Sequence, residues 1–196
     1  AEASWFVKRE KKEWVKNFTG WQRIILRHQY GEVFWKYKDL VQVYENGRKY
    51  GIDTVMIFGW WKGRFDNGYP LYEPDDALGG EEELKAAIQE IKRRGGNTIL
   101  YTNGILMDVK SDFYKEHGHD VAMIDIDGNE MLDHYRFSNQ GTVLRTFGYK
   151  TFAQACQGTE EWKEQLLHNG RVKLSMKPDS IFFDQVGGHH CWLCFN

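Results

Sequence analysis

Four short apolar runs, separated by stretches of helical spacing and each ending in aromatic or polar residues, constrain this chain more than any other feature. Residues 21–27 (WQRIILR) carry Ile24, Ile25 and Leu26 in unbroken succession, 54–58 read TVMIF, 98–102 read TILYT and 180–185 read SIFFDQ. Unbroken apolar runs of this length suit strands buried on both faces, as in parallel sheets covered by helices. Between the first two, Tyr37, Leu40, Val41 and Tyr44 recur at i, i+3, i+4 and i+7, and Tyr50-Gly51 offers a left-handed glycine to close the helix. Before the third, Glu81, Glu82 and Glu83 load a first helical turn with negative charge. Arg93-Arg94 load the last turn with positive charge ahead of Gly95, and Leu84, Ala87, Ile88 and Ile91 form the stripe between. Parallel neighbours need a crossover connection of a dozen or more residues, so this rhythm predicts an α/β chain.

The rhythm lapses from Asn103 to Gly158, a long excursion after the third strand. Within it, 121–126 with Asp127-Gly128 reads as a hairpin and its turn. The acidic run Asp125 to Glu130 lacks the third acidic position and distal Glu of a calcium loop, which favours that plain turn. Helical spacing resumes after Thr159, an N-cap candidate, through Trp162 and Leu166, with an interruption expected at Asn169-Gly170. With no repeat, low-complexity tract or linker, residues 1–196 are expected to be one domain. The balance of 26 basic and 28 acidic residues supplies no field to hold a polyanion, which argues against nucleic acid as partner. No apolar run approaches a membrane span and no leader-like segment opens the chain, so a soluble protein without a membrane partner is expected.

Ligands of parallel α/β folds bind beyond the carboxyl ends of the strands. The residues there are His28, Gln29 and Tyr30 after the first strand, Trp60, Trp61, Lys62, Arg64 and Asp66 after the second, Tyr101 and Asn103 on the third, and Asp184 and Gln185 on the fourth. Flat aromatics beside carboxylates and amides suit a sugar, whose faces stack on rings while its hydroxyls exchange hydrogen bonds. The substrate-binding candidates are therefore His28, Trp60, Trp61, Lys62, Asp66, Tyr101, Asn103 and Gln185. Trp60 and Trp61 are adjacent at a strand end, so one of them is expected to face the cleft. Trp5, Trp14, Trp21, Trp35 and Trp162 are expected in the core. No phosphate loop or dinucleotide fingerprint is present, and no cofactor is expected. Asp184 follows Ile181-Phe182-Phe183 directly to the strand's rim, where a carboxylate could attack an anomeric carbon; the alternative is a loop cap or an ion pair. Of the three cysteines, Cys156 reads as a small core residue, whereas Cys191 and Cys194 stand beside His189 and His190. That cluster is a weak alternative metal site against a simple packed loop.

The segments Gly20-Trp21 to Gly31, Tyr50 to Thr54, Phe58-Gly59-Trp60, Asp66-Asn67-Gly68-Tyr69-Pro70, Gly95 to Tyr101 and Asp179 to Gly187 carry a resemblance over nearly the whole chain. It is to an uncharacterised bacterial family of glycoside-hydrolase-like TIM barrels, itself similar to retaining α-galactosidases of the melibiase type. The resemblance implies a nucleophilic Asp at the end of the fourth barrel strand, matched by Asp184, and sugar-binding residues after the second, matched by Trp60, Trp61 and Asp66. It also implies a general acid/base from the sixth strand, and this sequence stops about ten residues after the fourth. A complete (β/α)₈ barrel takes about 250 residues. The expected fold is therefore a partial (β/α)₈ barrel of the first four βα units, as an incomplete domain in the bacterial cytoplasm or exported with its signal removed. The expected function is a retaining glycoside hydrolase, inactive as this fragment alone. The alternative is a non-catalytic carbohydrate-binding half-barrel that covers its open edges by self-association.

Overall fold

The strands form where the apolar runs lie. In the computed structural model, which describes residues 10–138, 146–188 and 193–196, they are β1 (Gln22–Ile25), β2 (Thr54–Phe58), β3 (Asn97–Asn103) and β7 (Ser180–Asp184). These make one parallel sheet in the order β1-β2-β3-β7. Short strands β4 (Leu106–Asp108), β5 (Leu132–Ser138) and β6 (Thr146–Gln154) form a separate antiparallel sheet in the order β4-β6-β5. The helices are α1 (Glu13–Lys16), α2 (Leu40–Arg48), α3 (Gly80–Arg93), α4 (Asp112–Val121) and α5 (Glu160–Ser175). The chain is thus a mixed α/β structure built on a parallel sheet.

Register sorts the side chains. Arg23 pairs with Met56 and Met56 with Ile99, while Tyr101 pairs with Phe182 and Asn103 with Asp184. Parallel partners share a face, so Arg23, Phe58, Tyr101, Asn103, Phe182 and Asp184 look the same way. The opposite face takes the helices: Gln22 Nε2 donates to Val43 O of α2 at 3.0 Å, and Ile24, Val55, Ile57 and Leu100 are buried in one cluster with Leu40, Tyr44, Leu84, Ile88 and Ile91. The α3 stripe and its charged ends follow the sequence expectation, with Leu84, Ala87, Ile88 and Ile91 all buried. A second cluster of Met107, Phe113, Val121, Ala122, Ala153, Ala155 and Trp162 joins α4 and α5 to the antiparallel sheet.

Residues 59–79 form the long connection from β2 to α3. Gly59 has φ +59°, and a Cβ there would lie 2.4 Å from Arg27 O, so only glycine lets β2 leave the sheet this close to the end of β1. The loop is then held at several points. Arg27 pairs with Asp75 at 2.6 Å, and Asp108, buried at the end of β4, accepts Gly68 N at 2.9 Å and pairs with Lys150 of β6.

Three expectations are corrected. The segment 121–126 is a hairpin only in its second half: Val121 ends α4, whose Ser111 N-cap accepts Tyr114 N at 3.1 Å, while Ile124 bridges Glu130 antiparallel across the Asp127-Gly128 turn, with Asp125 N donating to Asn129 O and Met131 N to Met123 O, both at 2.9 Å, and the Asp125 carboxylate accepting Asp127 N and Asn129 N. The larger antiparallel pair, β5 with β6, was not expected, because the β5 sequence LDHYRFS lacks a clean apolar alternation. The helix α5 runs through Asn169-Gly170 without interruption, because Asn169 Nδ2 reaches Pro70 O at 2.9 Å instead of competing for its own backbone. Trp162 is buried, but Trp21 and Trp35 are 45% and 44% exposed; Trp21 stacks on Phe18 rather than entering the core. Trp5 lies outside the described residues.

Candidate functional site

The carboxyl ends of β3 and β7 meet in register, and that adjacency builds the site. Asp184 ends β7 opposite Asn103. Its Oδ2 accepts the Tyr101 hydroxyl at 2.9 Å and its Oδ1 accepts Gln185 N at 3.0 Å, so both carboxylate oxygens are aimed. Asn103 Oδ1 accepts Ile105 N and Leu106 N at 2.9 and 2.8 Å, which turns the chain from β3 into β4. The remaining amide of Asn103 donates to Gln185 Oε1 at 3.2 Å, and Gln185 Nε2 donates to the Tyr135 hydroxyl at 2.8 Å. A polar row thus runs from β3 across the loop after β7 to the hairpin strand β5.

Asp66 enters from the β2 loop. Tyr69 donates to Asp66 Oδ1 at 3.0 Å, and the Tyr69 and Tyr101 oxygens are 3.3 Å apart. Burial pushes the Asp66 carboxyl up to about 6; the Tyr69 hydrogen bond opposes this, Asp184 adds to it and Arg23 opposes it. Burial also raises the Tyr69, Tyr72 and Tyr101 phenols far above their usual range, so all three hold their protons at neutral pH. Two residues here occupy the left-handed backbone region without being glycine, Asp66 at φ +51° and Gln185 at φ +68°. Such conformations cost of order 1–3 kcal/mol and persist where the surroundings over-determine them.

Beneath these groups lies an aromatic floor. Trp60 and Trp61 are both fully buried, against the expectation that one faces the cleft. Trp60 Nε1 donates to Tyr101 O at 3.0 Å and Trp61 Nε1 to Asn67 O at 2.8 Å, so each indole finds its partner inside the protein. The strand geometry that separates neighbours onto two faces ends at Phe58; beyond it the 59–79 loop folds over Trp61, which stacks on Tyr101 with centroids 5.8 Å apart.

Of the residues singled out from sequence, Asp66, Tyr101, Asn103, Asp184 and Gln185 are brought together. Lys62 is not: its exposed ammonium pairs with Glu73 at 3.2 Å and Asp76 at 3.6 Å. His28 packs against Tyr30 and Phe34 of its own loop, with centroids 5.0 and 5.4 Å away. Tyr69, Tyr72 and Tyr135 were missed. Tyr69 follows Asp66 by three residues in the same turn-rich loop, a signal available in the sequence; Tyr135 lies on the unrecognised hairpin. His189, His190 and Cys191 lie outside the described residues, and Cys194 hydrogen-bonds the half-buried Cys156 thiol. Among the described residues no group of three or more His, Cys, Asp or Glu could hold a metal ion, and no helix is long and apolar enough to cross a membrane.

The fold of this chain is similar to that of glycoside hydrolases of known structure. The α-N-acetylgalactosaminidase NagBb from Bifidobacterium bifidum, in its GalNAc complex, superposes with TM-score 0.62 at 12% identity over 83% of this chain and 27% of that one. The α-galactosidase TtGalA from Thermus thermophilus gives 0.54 at 18% identity over 76% and 28%. The noncanonic maltogenic α-amylase AmyB from Thermotoga neapolitana gives 0.56 at 16% identity over 85% and 38%. The chain therefore spans between about a quarter and two-fifths of the length of these structures. The chain belongs to the family described as a domain of unknown function (DUF6259), whose family model matches residues 1–196. No curated protein matches it by sequence.

Proposed function

We propose that this chain supplies the first four βα units of a (β/α)₈ glycoside hydrolase barrel, one domain with the inserted β4–β6–β5 sheet, and that Asp184 is its nucleophile in a retaining mechanism. The observation that carries this reading is the presentation of Asp184: last residue of the fourth parallel strand, with one oxygen held by Tyr101 and the other by Gln185 N. The fold likeness to enzymes named as α-galactosidases and an α-N-acetylgalactosaminidase supports a carbohydrate substrate and makes α-galactosides the first to assay.

In the proposed reaction Asp184 attacks the anomeric carbon as the glycosidic C–O bond breaks, and the leaving oxygen takes a proton. The resulting glycosyl ester is then hydrolysed by water. Asp66 and Gln185 line the rim as hydrogen-bond partners for sugar hydroxyls, buried Asn103 holds Gln185 in place, and Tyr101 aims the nucleophile. The proton donor comes from strands beyond the fourth.

The test, run on a protein in which this chain is joined to the remaining barrel strands the proposal requires, is covalent trapping followed by peptide mapping. An activated 2-fluoro α-galactoside should leave a glycosyl adduct on the peptide bearing Asp184, and Asp184→Asn should abolish the adduct and lower turnover by several powers of ten. An adduct on another residue, or turnover within a few-fold of wild type in Asp184→Asn, removes Asp184 from this role. Saturable sugar binding with neither adduct nor turnover would instead indicate a binding module.

A further inference from the structure

Four side chains form a continuous line across the site. The order is Asp66, Tyr69, Tyr101 and Asp184, with successive oxygen separations of 3.0, 3.3 and 2.9 Å. It ties the β2 loop to β7 through β3, and the Asn103 side chain also hydrogen-bonds the Tyr101 hydroxyl. The bookkeeping of hydrogens along this line has two solutions. When Asp66 is ionised, Tyr69 donates to Asp66 and Tyr101 donates to Asp184. The two phenol oxygens then face each other with no hydrogen between them. When Asp66 carries a proton, its O–H donates to Tyr69, Tyr69 donates to Tyr101 and Tyr101 donates to Asp184. Every oxygen then donates to the next, and the negative charge sits at the Asp184 end. Each phenol contributes one hydrogen throughout, since burial keeps both protonated.

We propose that Tyr69 and Tyr101 are positioning residues that relay the protonation state of Asp66 to the Asp184 carboxylate. Hydrogen-bond chains polarise along their length, so the proton on Asp66 strengthens the donation that Asp184 receives. The proposal rests on the reading of Asp184 as nucleophile for its functional meaning: a sugar hydroxyl seated on Asp66 is then felt at the reacting carboxylate. The remaining groups facing Asp66 are Arg23 on β1, Tyr72 in the same loop and Tyr135 on β5. Arg23 favours its ionised form, and Tyr72 and Tyr135 are neutral phenols. The Asp66 carboxyl titrates at about 6, which places the switch between the two hydrogen patterns within an accessible range.

A through-space charge effect and a relay make different predictions when the line is cut. The whole 196-residue chain, labelled with ¹³C at the Asp carboxyls, is titrated over roughly pH 4.5 to 8 without ligand, with Asp66→Asn assigning the Asp66 signal. In wild type the Asp184 signal should shift in step with Asp66, near pH 6. In Tyr69→Phe, which keeps the ring stacked on Tyr72 at 5.9 Å, Asp66 should titrate higher and the linked shift at Asp184 should fall to less than half. Tyr101→Phe cuts the last link and should do the same if the first variant does not fold. A linked shift of undiminished size in both variants, or none in wild type, overturns the relay. The titration needs no substrate, so it fails or succeeds separately from trapping of Asp184.

Discussion

At the scale of single residues, the site contains a carboxylate held against its own stability. The Asp66 carboxyl loses its proton at about 6 in the folded chain and near its ordinary 3.8 when unfolded. Between those values the folded state holds the extra proton, so the contribution of Asp66 to stability falls as pH rises through this window and stays unfavourable above it. Asp66→Asn is therefore expected to raise the melting temperature above pH 6 by the equivalent of about 1–3 kcal/mol, and to lose that gain below pH 4. Calorimetry at several pH values checks it; a gain that does not shrink in acid would show that ionisation is not its source. The same variant should weaken the proposed sugar binding, the usual trade between function and stability. The position of Asp184, Tyr101, Asn103 and Gln185 at the carboxyl rim of the sheet was legible in the sequence, because Asn103 and Asp184 end apolar strands, Tyr101 lies two residues before such an end and Gln185 one after. The hydroxyl line through Tyr69 was not, because its links join residues far apart in the chain.

At the scale of elements, α5 carries the least expected group. Lys173 is fully buried, with its ammonium 3.9 Å from the Tyr72 ring centroid and 5.6 Å from that of Trp60, and its hydrogen bond goes to Asn169 O at 3.3 Å. Burial lowers its pKa to about 7. The unfolded chain keeps that proton up to the ordinary lysine value of 10.5, so between pH 7 and 10.5 the unfolded state binds more protons and stability rises with pH. Each unit in that window adds up to about 1.4 kcal/mol from this group. Lys173→Met, apolar and of similar length, should flatten the rise and increase stability at pH 7 and below; a denaturation series whose slope is unchanged by the substitution would place the source elsewhere. Periodicity located α2 and α3, whose apolar stripes face the parallel sheet, and α5, whose Trp162 and Leu166 pack at helical spacing in the smaller cluster. It missed α4 and the β5–β6 hairpin, which pack on a smaller cluster and carry charged residues between their apolar ones.

At the scale of the whole molecule, apolar side chains stand exposed beside the outer strand β7: Phe183 is 43% exposed and Val186 50%. Further βα units would cover them in a completed barrel. In this chain alone, self-association through such edges is the expected substitute. Sedimentation over a hundredfold range of concentration should show mass rising with concentration, and a strict monomer throughout would show that these residues are tolerated in water.

What the sequence by itself determined was the parallel α/β plan and the arrival of Asp184 at a strand end. Both are local consequences of apolar periodicity, helix-end charge and strand length, readable over windows of five to fifteen residues. What only the tertiary structure decided was which rim residues meet. Lys62 and His28 were as plausible as Asp66 by position, yet Lys62 turns out to Glu73 and His28 folds back on its own loop, while Asp66 reaches Tyr69. Both tryptophans sank into the floor because the 59–79 loop folds back over them, pinned by Asp108 and Arg27. That closure depends on contacts between residues forty or more apart, Gly68 with Asp108 and Arg27 with Asp75, and a loop's own sequence carries no record of the surface on which it will close.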